Sequence, residues 1–165
     1  MGEFPREFPT FLCDEMLGRL ARYLRAAGYN TELASNGAPD RDLVRLAADE
    51  GRYFLTCDRL ILEHRAGNGL VCLLPHGNLD QLSRLVGERF HLDWLSRAFT
   101  RCLVDNTLLE PTQSHRHPHL PDDLAGREIM HCPACQRVYW HGSHSRRMRQ
   151  RLEEWQRRDH GSFGP

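Results

Sequence analysis

Three aspartates stand at corresponding points of successive apolar runs: Asp14 and Asp58 just after two of them, and Asp40 at the start of the amphipathic segment after a third. Carboxylates gathered at one place repel one another unless cations neutralise them, and hard oxygen ligands suit Mg²⁺ or Mn²⁺. One or two such ions can activate a water and stabilise the leaving oxygen when a phosphodiester is cut. Glu15, Glu63 and Asp80 are further acids that could join the group. Each has a plainer alternative. Asp40 could serve only as a helix N-cap, where aspartate is favoured anyway, and Asp14 and Asp58 could be solvated loop acids or further N-caps. A second kind of chemistry is carried by Cys132-Pro-Ala-Cys135, a CxxC turn of the type whose thiolates hold zinc. One such turn is half a site, and without metal it would be a hairpin packed around Val138, Tyr139 and Trp140 with reduced cysteines. Cys13, Cys57 and Cys72 lack ligand spacing and read as buried thiols.

The elements that must position these residues follow from the hydrophobic pattern. Phe8 to Cys13 is a short apolar run that suits a buried strand. From Met16 to Ala27 the apolar residues recur at helical spacing, with Gly28 in the place of a C-terminal cap. Asn30 to Ala34 reads as a second strand, Asp40 as the N-cap of a helix running to about Glu50 and ended by Gly51, and Tyr53 to Thr56 as a third strand. Asp58 to His64 is predicted as a short helix, Leu70 to Leu74 as a fourth strand and Leu79 to Arg89 as a helix. Strands alternating with helices through short connections imply a parallel sheet covered by helices. In such a sheet ligands collect outside the carboxyl ends of the strands, which is where the three aspartates fall. A further short helix is expected at Trp94 to Thr100 and a boundary near residue 100, giving units 9–98 and 99–158. Residues 112–126 are too polar and proline-rich for core, and Ser145 to Arg158 reads as an arginine-rich helix with Met148, Leu152 and Trp155 on one face.

Overall charge says little about partners, because 22 basic and 22 acidic residues cancel. Placement says more. The chain has no lysine, and its arginines crowd between Arg137 and Arg158. No apolar run reaches the roughly 20 residues that span a bilayer, and Met1 to Thr10 lacks the character of a signal peptide, so a cytoplasmic protein away from membranes is expected.

The run FLCDEMLGRLARYLRAAGYNTELASN, followed by DRDLVRLAADEGRYFLTCDRLIL, closely resembles the PIN-like RNase domain named from the C-terminus of the nuclease mut-seven. The likeness continues through RCLVDN and HCPACQRVYWHGSHSRRM. It implies a PIN-like α/β fold, metal-dependent ribonuclease activity and a following zinc ribbon. On this resemblance Asp14, Asp40 and Asp58 hold Mg²⁺ or Mn²⁺, and Asp80 or Glu63 takes the fourth acidic place of the catalytic set. The family pattern also puts a second CxxC where this chain has Cys102-Leu-Val-Asp105, so the implied zinc ligands are Cys102, Asp105, Cys132 and Cys135. Zinc accepts carboxylate oxygen, but structural sites favour cysteine and histidine, which leaves His115, His117, His119 and His131 as alternatives to Asp105. Some relatives carry a ubiquitin-like domain ahead of this one; only a short tail precedes the first strand here, so that module is not expected.

Beyond Cys135, Tyr139 and Trp140 offer stacking surfaces among His141, His144, Arg146, Arg147, Arg149 and Arg151, a combination suited to single-stranded RNA. Arg19 and Arg22 on the first helix, and Arg59 beside Asp58, could reach phosphate or simply be solvated. The leading expectation is therefore an endoribonuclease whose ribbon and basic tail grip RNA. Two alternatives stand beside it: an RNA-binding protein that has lost catalysis, and the toxin half of a pair with an antitoxin partner. A homodimer is a further open expectation.

Overall fold

The computed structural model describes residues 8–63, 69–124 and 126–161, without the side chains of Leu62, Glu63 and Ser114. The side chain of the predicted fourth acid Glu63 and the helix end at His64 therefore lie outside what is described. Four strands, β1 (Phe11–Cys13), β2 (Thr31–Leu33), β3 (Tyr53–Thr56) and β4 (Val71–Leu73), form a parallel sheet in the order β2-β1-β3-β4. Helices α1 (Gly18–Ala26), α2 (Asp40–Glu50) and α3 (Leu79–Phe90) alternate with them. The central strands are apolar at almost every position because both their faces are covered. Leu12 and Phe54 point to one side, against Leu43, Val44 and Ala47 of α2. Phe11, Cys13 and Leu55 point to the other, into a larger core with α1 and α3.

Beyond residue 100 a second, antiparallel sheet is built from β5 (Glu110–Thr112), β6 (Ile129–His131) and β7 (Val138–Trp140). Helix α4 (Ser143–Gly161) then returns to the first sheet's core. Its apolar residues Met148, Leu152 and Trp155, spaced by four and three, are buried in one cluster with Phe11, Leu24 and Val86. The Trp155 indole packs at 4.9 Å against Trp94 and at 5.1 Å against Tyr23. The expected arginine-rich helix is thus present and extended at both ends, with its apolar stripe docked.

Several expected elements are corrected at their ends. The first helix begins as a tight 3₁₀ turn at Glu15–Leu17, and Asp58 to His64 becomes a 3₁₀ segment at Arg59–Glu63. Pro39, not Asp40, holds the cap position of α2, and Asp40 is the first helical residue. The helix expected at Trp94 to Thr100 does not form. Asp93 Oδ1 instead accepts from the backbone N–H groups of Leu95 and Ser96, and Phe99 adopts a left-handed φ of 61° with its N–H bonded to Ala26 O at 2.7 Å. Burial of Trp94 and this pinning of Phe99 outweigh the local helical pattern.

Candidate active site and metal centre

Asp14 leaves the end of β1, and its N–H reaches across to Leu55 O of β3 at 2.9 Å. One carboxylate oxygen accepts from the N–H of Glu15 at 2.8 Å, starting the 3₁₀ turn, and the other accepts from the hydroxyl of Thr56 at 2.8 Å. Thr56 is fully buried at the end of β3, and its oxygen in turn accepts the backbone N–H of Asp58 at 3.0 Å. A single hydroxyl therefore ties the Asp14 carboxylate to the backbone that carries Asp58. The Asp58 side chain accepts the N–H of Leu60 at 2.9 Å and is otherwise exposed. Beside it opens a cleft of about 560 Å³, with Met16, Leu73 and Pro75 as apolar walls and Asp58, Arg59 and His76 as polar ones. Thr56, Met16 and His76 were not singled out from sequence. The signal for Thr56 was there: a hydroxyl side chain closing an apolar strand two residues before an acid.

The other acids fall differently. Asp40 is half-buried in the first turn of α2, where negative charge suits the helix dipole. Asp80, proposed for the fourth acidic place, turns to α4. Its oxygens accept from Arg151 Nε at 3.1 Å, Arg151 Nη2 at 2.9 Å and Trp155 Nε1 at 2.8 Å, and Arg158 bonds to its carbonyl. The Arg151 contact holds the Asp80 carboxyl below its ordinary range. Its carboxylate thus joins the first turn of α3 to α4. Among the described residues, Asp14, Asp40, Asp58 and Asp80 do not form a group of three ligand atoms within 4.8 Å of one another.

One group does meet that distance: Cys102, Asp105, Cys132 and Cys135. Two turns of the same shape build it. In the second, Gln136 N–H bonds back to Cys132 O at 2.9 Å, Cys132 N–H to Arg137 O at 2.8 Å, and Gln136 is left-handed at φ 63°. In the first, Asn106 N–H bonds to Cys102 O at 3.1 Å, Cys102 N–H to Thr107 O at 2.8 Å, and Asn106 is left-handed at φ 72°. Asp105 therefore sits where Cys135 sits in its twin, and its oxygens approach Cys132 Sγ at 3.3 and 3.4 Å. None of His115, His117, His119 or His131 belongs to the group; His117 bonds Thr112 Oγ1 and His131 the carbonyl of Glu110. The donor set, three thiols and a carboxylate converging on one point, fits a tetrahedral zinc ion. Burial pushes the Cys132 thiol up to about 11, whereas at Cys135 the Arg137 backbone and side chain overcome burial and draw the thiol down. Burial would also raise Asp105, but the Thr107 N–H and the facing thiols hold it well below the carboxylate range.

The first turn is welded to the parallel sheet. Asn106 Oδ1 accepts the Thr31 N–H at 2.9 Å, and its amide donates to Asn30 and Glu32. The buried Arg25 donates to the carbonyls of Thr31, Leu103 and Val104. Among the three other cysteines, Cys13 and Cys72 are buried as expected, and Cys57 is half-exposed.

Of the basic and aromatic candidates, Arg19, Arg22, His141, His144, Arg146 and Arg147 are exposed, and Arg59 borders the cleft at Asp58. Arg22 reaches His144 Nε2 at 3.4 Å. Tyr139 spends its hydroxyl on the first cysteine turn, at 3.1 Å from Cys102 Sγ and 3.2 Å from the Leu103 N–H, while its ring and that of Trp140 are half-buried. Arg151 is engaged with Asp80, and Arg149 lies 5.2 Å over the ring of Phe99.

An α/β chain with acids at the carboxyl edge of a parallel sheet and a cluster of three cysteines and an aspartate that could hold a metal ion defines a class compatible with nucleases. The family follows directly: the model of the Mut7-C RNAse domain matches residues 9–152, and the chain belongs to that family. Membership makes a ribonuclease the activity class and RNA the implied substrate. Curated proteins and solved structures, compared in the same way, returned no match. No helix among the described residues is long and apolar enough to cross a membrane.

Proposed function

We propose that this protein is a metal-dependent endoribonuclease of PIN-like fold in which Asp14, Asp40 and Asp58 hold Mg²⁺ or Mn²⁺ at the carboxyl edge of the parallel sheet. The observation that carries the reading is the Thr56 hydroxyl, which links the Asp14 carboxylate to the Asp58 backbone beside an open cleft. The donors are all hard oxygens, the set that Mg²⁺ and Mn²⁺ prefer. A divalent cation there supplies charge neutralisation at phosphate and a more acidic water. The chain's own residues do the rest. Thr56 and the Glu15 N–H orient Asp14, the Leu60 N–H orients Asp58, and Arg59 and His76 present cationic or hydrogen-bonding groups to a phosphate in the cleft. Arg19 and Arg22 on α1 and Arg146 and Arg147 on α4 add exposed charge for the strand, with Tyr139, Trp140 and His144 as the stacking and polar surface. The Cys102, Asp105, Cys132 and Cys135 centre takes a structural zinc that holds the 99–158 unit against the 9–98 unit.

The test is cleavage of single-stranded and structured RNA with Mn²⁺ by wild type, Asp14→Asn and Asp58→Asn. Loss of turnover by about two orders of magnitude or more in both variants is expected for ligands of a catalytic ion; equal cleavage by all three removes the assignment. A second reading, an RNA-binding protein without catalysis, draws on the diversion of Asp80 to α4 and on the spread of the acids. RNA binding with no Mn²⁺-dependent turnover would select it.

A further inference from the structure

A second cavity, of about 550 Å³, lies away from Asp58 between α1, the 98–103 segment, β7 and the start of α4. Its size is that of a small-molecule site. One wall is aromatic and apolar, from Phe99, Leu103, Tyr139, Trp140 and Met148. The rim carries the guanidinium groups of Arg22 and Arg149 and the imidazole of His144, against one carboxylate from Glu128. Arg22 and His144 meet across the mouth at 3.4 Å, so a residue of α1 and a residue of α4 close on the same point. Phe99 is held in a left-handed conformation by its bond to Ala26 O, which sets its ring beneath the Arg149 guanidinium. A bulky residue in that region is strained, and such strain persists where the surroundings enforce a particular presentation of the side chain.

We infer that this cavity takes one unpaired nucleotide of the RNA, its base against the aromatic wall and its phosphate at Arg22 and His144. The occupant follows from the two-part chemistry: a flat π surface needs a stacking partner, and a cationic rim needs an anion a few ångströms away, which a nucleotide carries in one unit. Helix α1 connects the two sites. Asp14 caps the 3₁₀ turn that leads into it, and Arg22 lies about 6 Å along the axis from its start at Gly18. One strand can therefore pass the acidic edge and lodge a base in the cavity, which makes the cavity a determinant of which nucleotide stands near the cut. This inference rests on RNA being the substrate but not on the assignment of the acids.

The experiment is calorimetric titration of the full-length Asp58→Asn protein with AMP, GMP, CMP and UMP, and with adenosine and ribose 5-phosphate as half-ligands. At least one nucleotide should bind once per chain, with the half-ligands weaker by about tenfold or more and Arg22→Ala and Trp140→Ala each costing about tenfold, within the range for one base-stacking or phosphate contact. In otherwise wild-type protein, Arg22→Ala should raise KM for single-stranded RNA with kcat within about twofold, the pattern of lost uniform binding. No saturable nucleotide binding, binding indifferent to Arg22→Ala, or a change in self-association with no change in KM would overturn the inference. Arg22 is exposed, so its replacement tests the site without threatening the fold. Cleavage that survives Asp58→Asn would overturn the catalytic assignment and leave this titration intact; normal Asp58-dependent cleavage without nucleotide binding would do the reverse.

Discussion

Replacing Asp80 separates a structural acid from a catalytic one. In Asp80→Ala the bidentate pair with Arg151 is lost, and the Trp155 indole N–H loses its acceptor. Both partners of the ion pair retain solvent contact, the Asp80 side chain being 53% exposed, so the pair is worth about 0.5–1 kcal/mol after screening. Trp155 itself is 2% exposed, and stranding its N–H costs about 1 kcal/mol, the low end of the range because water can enter where the carboxylate stood. The sum, about 1.5–2 kcal/mol, corresponds to a fall in Tm of about 3–8 °C for a chain of this size. Asp80→Asn keeps an acceptor for Trp155 and loses only the charge, so its Tm falls by about 1–4 °C. The carboxyl is held below its ordinary value, so its contribution is complete above the unfolded value near 4 and is lost as pH falls through the folded one. Accordingly the wild-type advantage over Asp80→Asn should shrink on acidification below about pH 4. Thermal melts and urea titrations measure this, and RNA cleavage is read in parallel, with kcat of Asp80→Asn expected within about twofold of wild type. An Asp80→Ala melt indistinguishable from wild type would refute the energetic reasoning, and a hundredfold loss of kcat in a well-folded Asp80→Asn would return the residue to the catalytic set.

Three further outcomes are expected. Thr56→Val keeps the shape but removes both hydrogen bonds of the hydroxyl, so stability should drop by about 1–3 kcal/mol in urea titration and kcat by about 10–100-fold, as for loss of a group that orients a ligand. Metal analysis of purified protein should find zinc near one equivalent in wild type and Asp105→Cys but not in Asp105→Ala; because the Cys132 thiol is raised to about 11, zinc competes with a proton there and its affinity should fall as pH is lowered. Gly28→Ala should cost about 2 kcal/mol or more, because Gly28 has a φ of 93° and a Cβ there would collide with the Arg97 backbone.

Much of the first unit was legible because its signals are local. Tyr53 to Thr56 is read from sequence with the bounds it has in the structure, and the helix before it with its end at Gly51 and its cap displaced by one residue, since a short apolar run and an amphipathic run closed by a glycine each admit one description. The same local reading failed at Trp94 to Thr100. There a helical pattern is overruled by contacts with residues far along the chain, Asp159 for the Trp94 indole and Ala26 for the Phe99 backbone.

The sequence by itself determined the parallel α/β arrangement, the carboxyl-edge position of Asp14 and Asp58 and the family, because parallel pairing and loop placement follow from alternation and motif. Tertiary structure alone decided what each polar group is bonded to. It gave Asp80 to Arg151 and Trp155, 71 and 75 residues away, joined the Thr56 hydroxyl to the Asp14 carboxylate 42 residues back, and brought the Asp105 carboxylate to Cys132, 27 residues on. The physical reason is the range of the interactions. Hydrophobic periodicity acts over one or two turns of chain and is written in neighbouring residues, whereas a hydrogen-bond partner is chosen among all groups that packing brings within about 3 Å, and no local pattern records that choice.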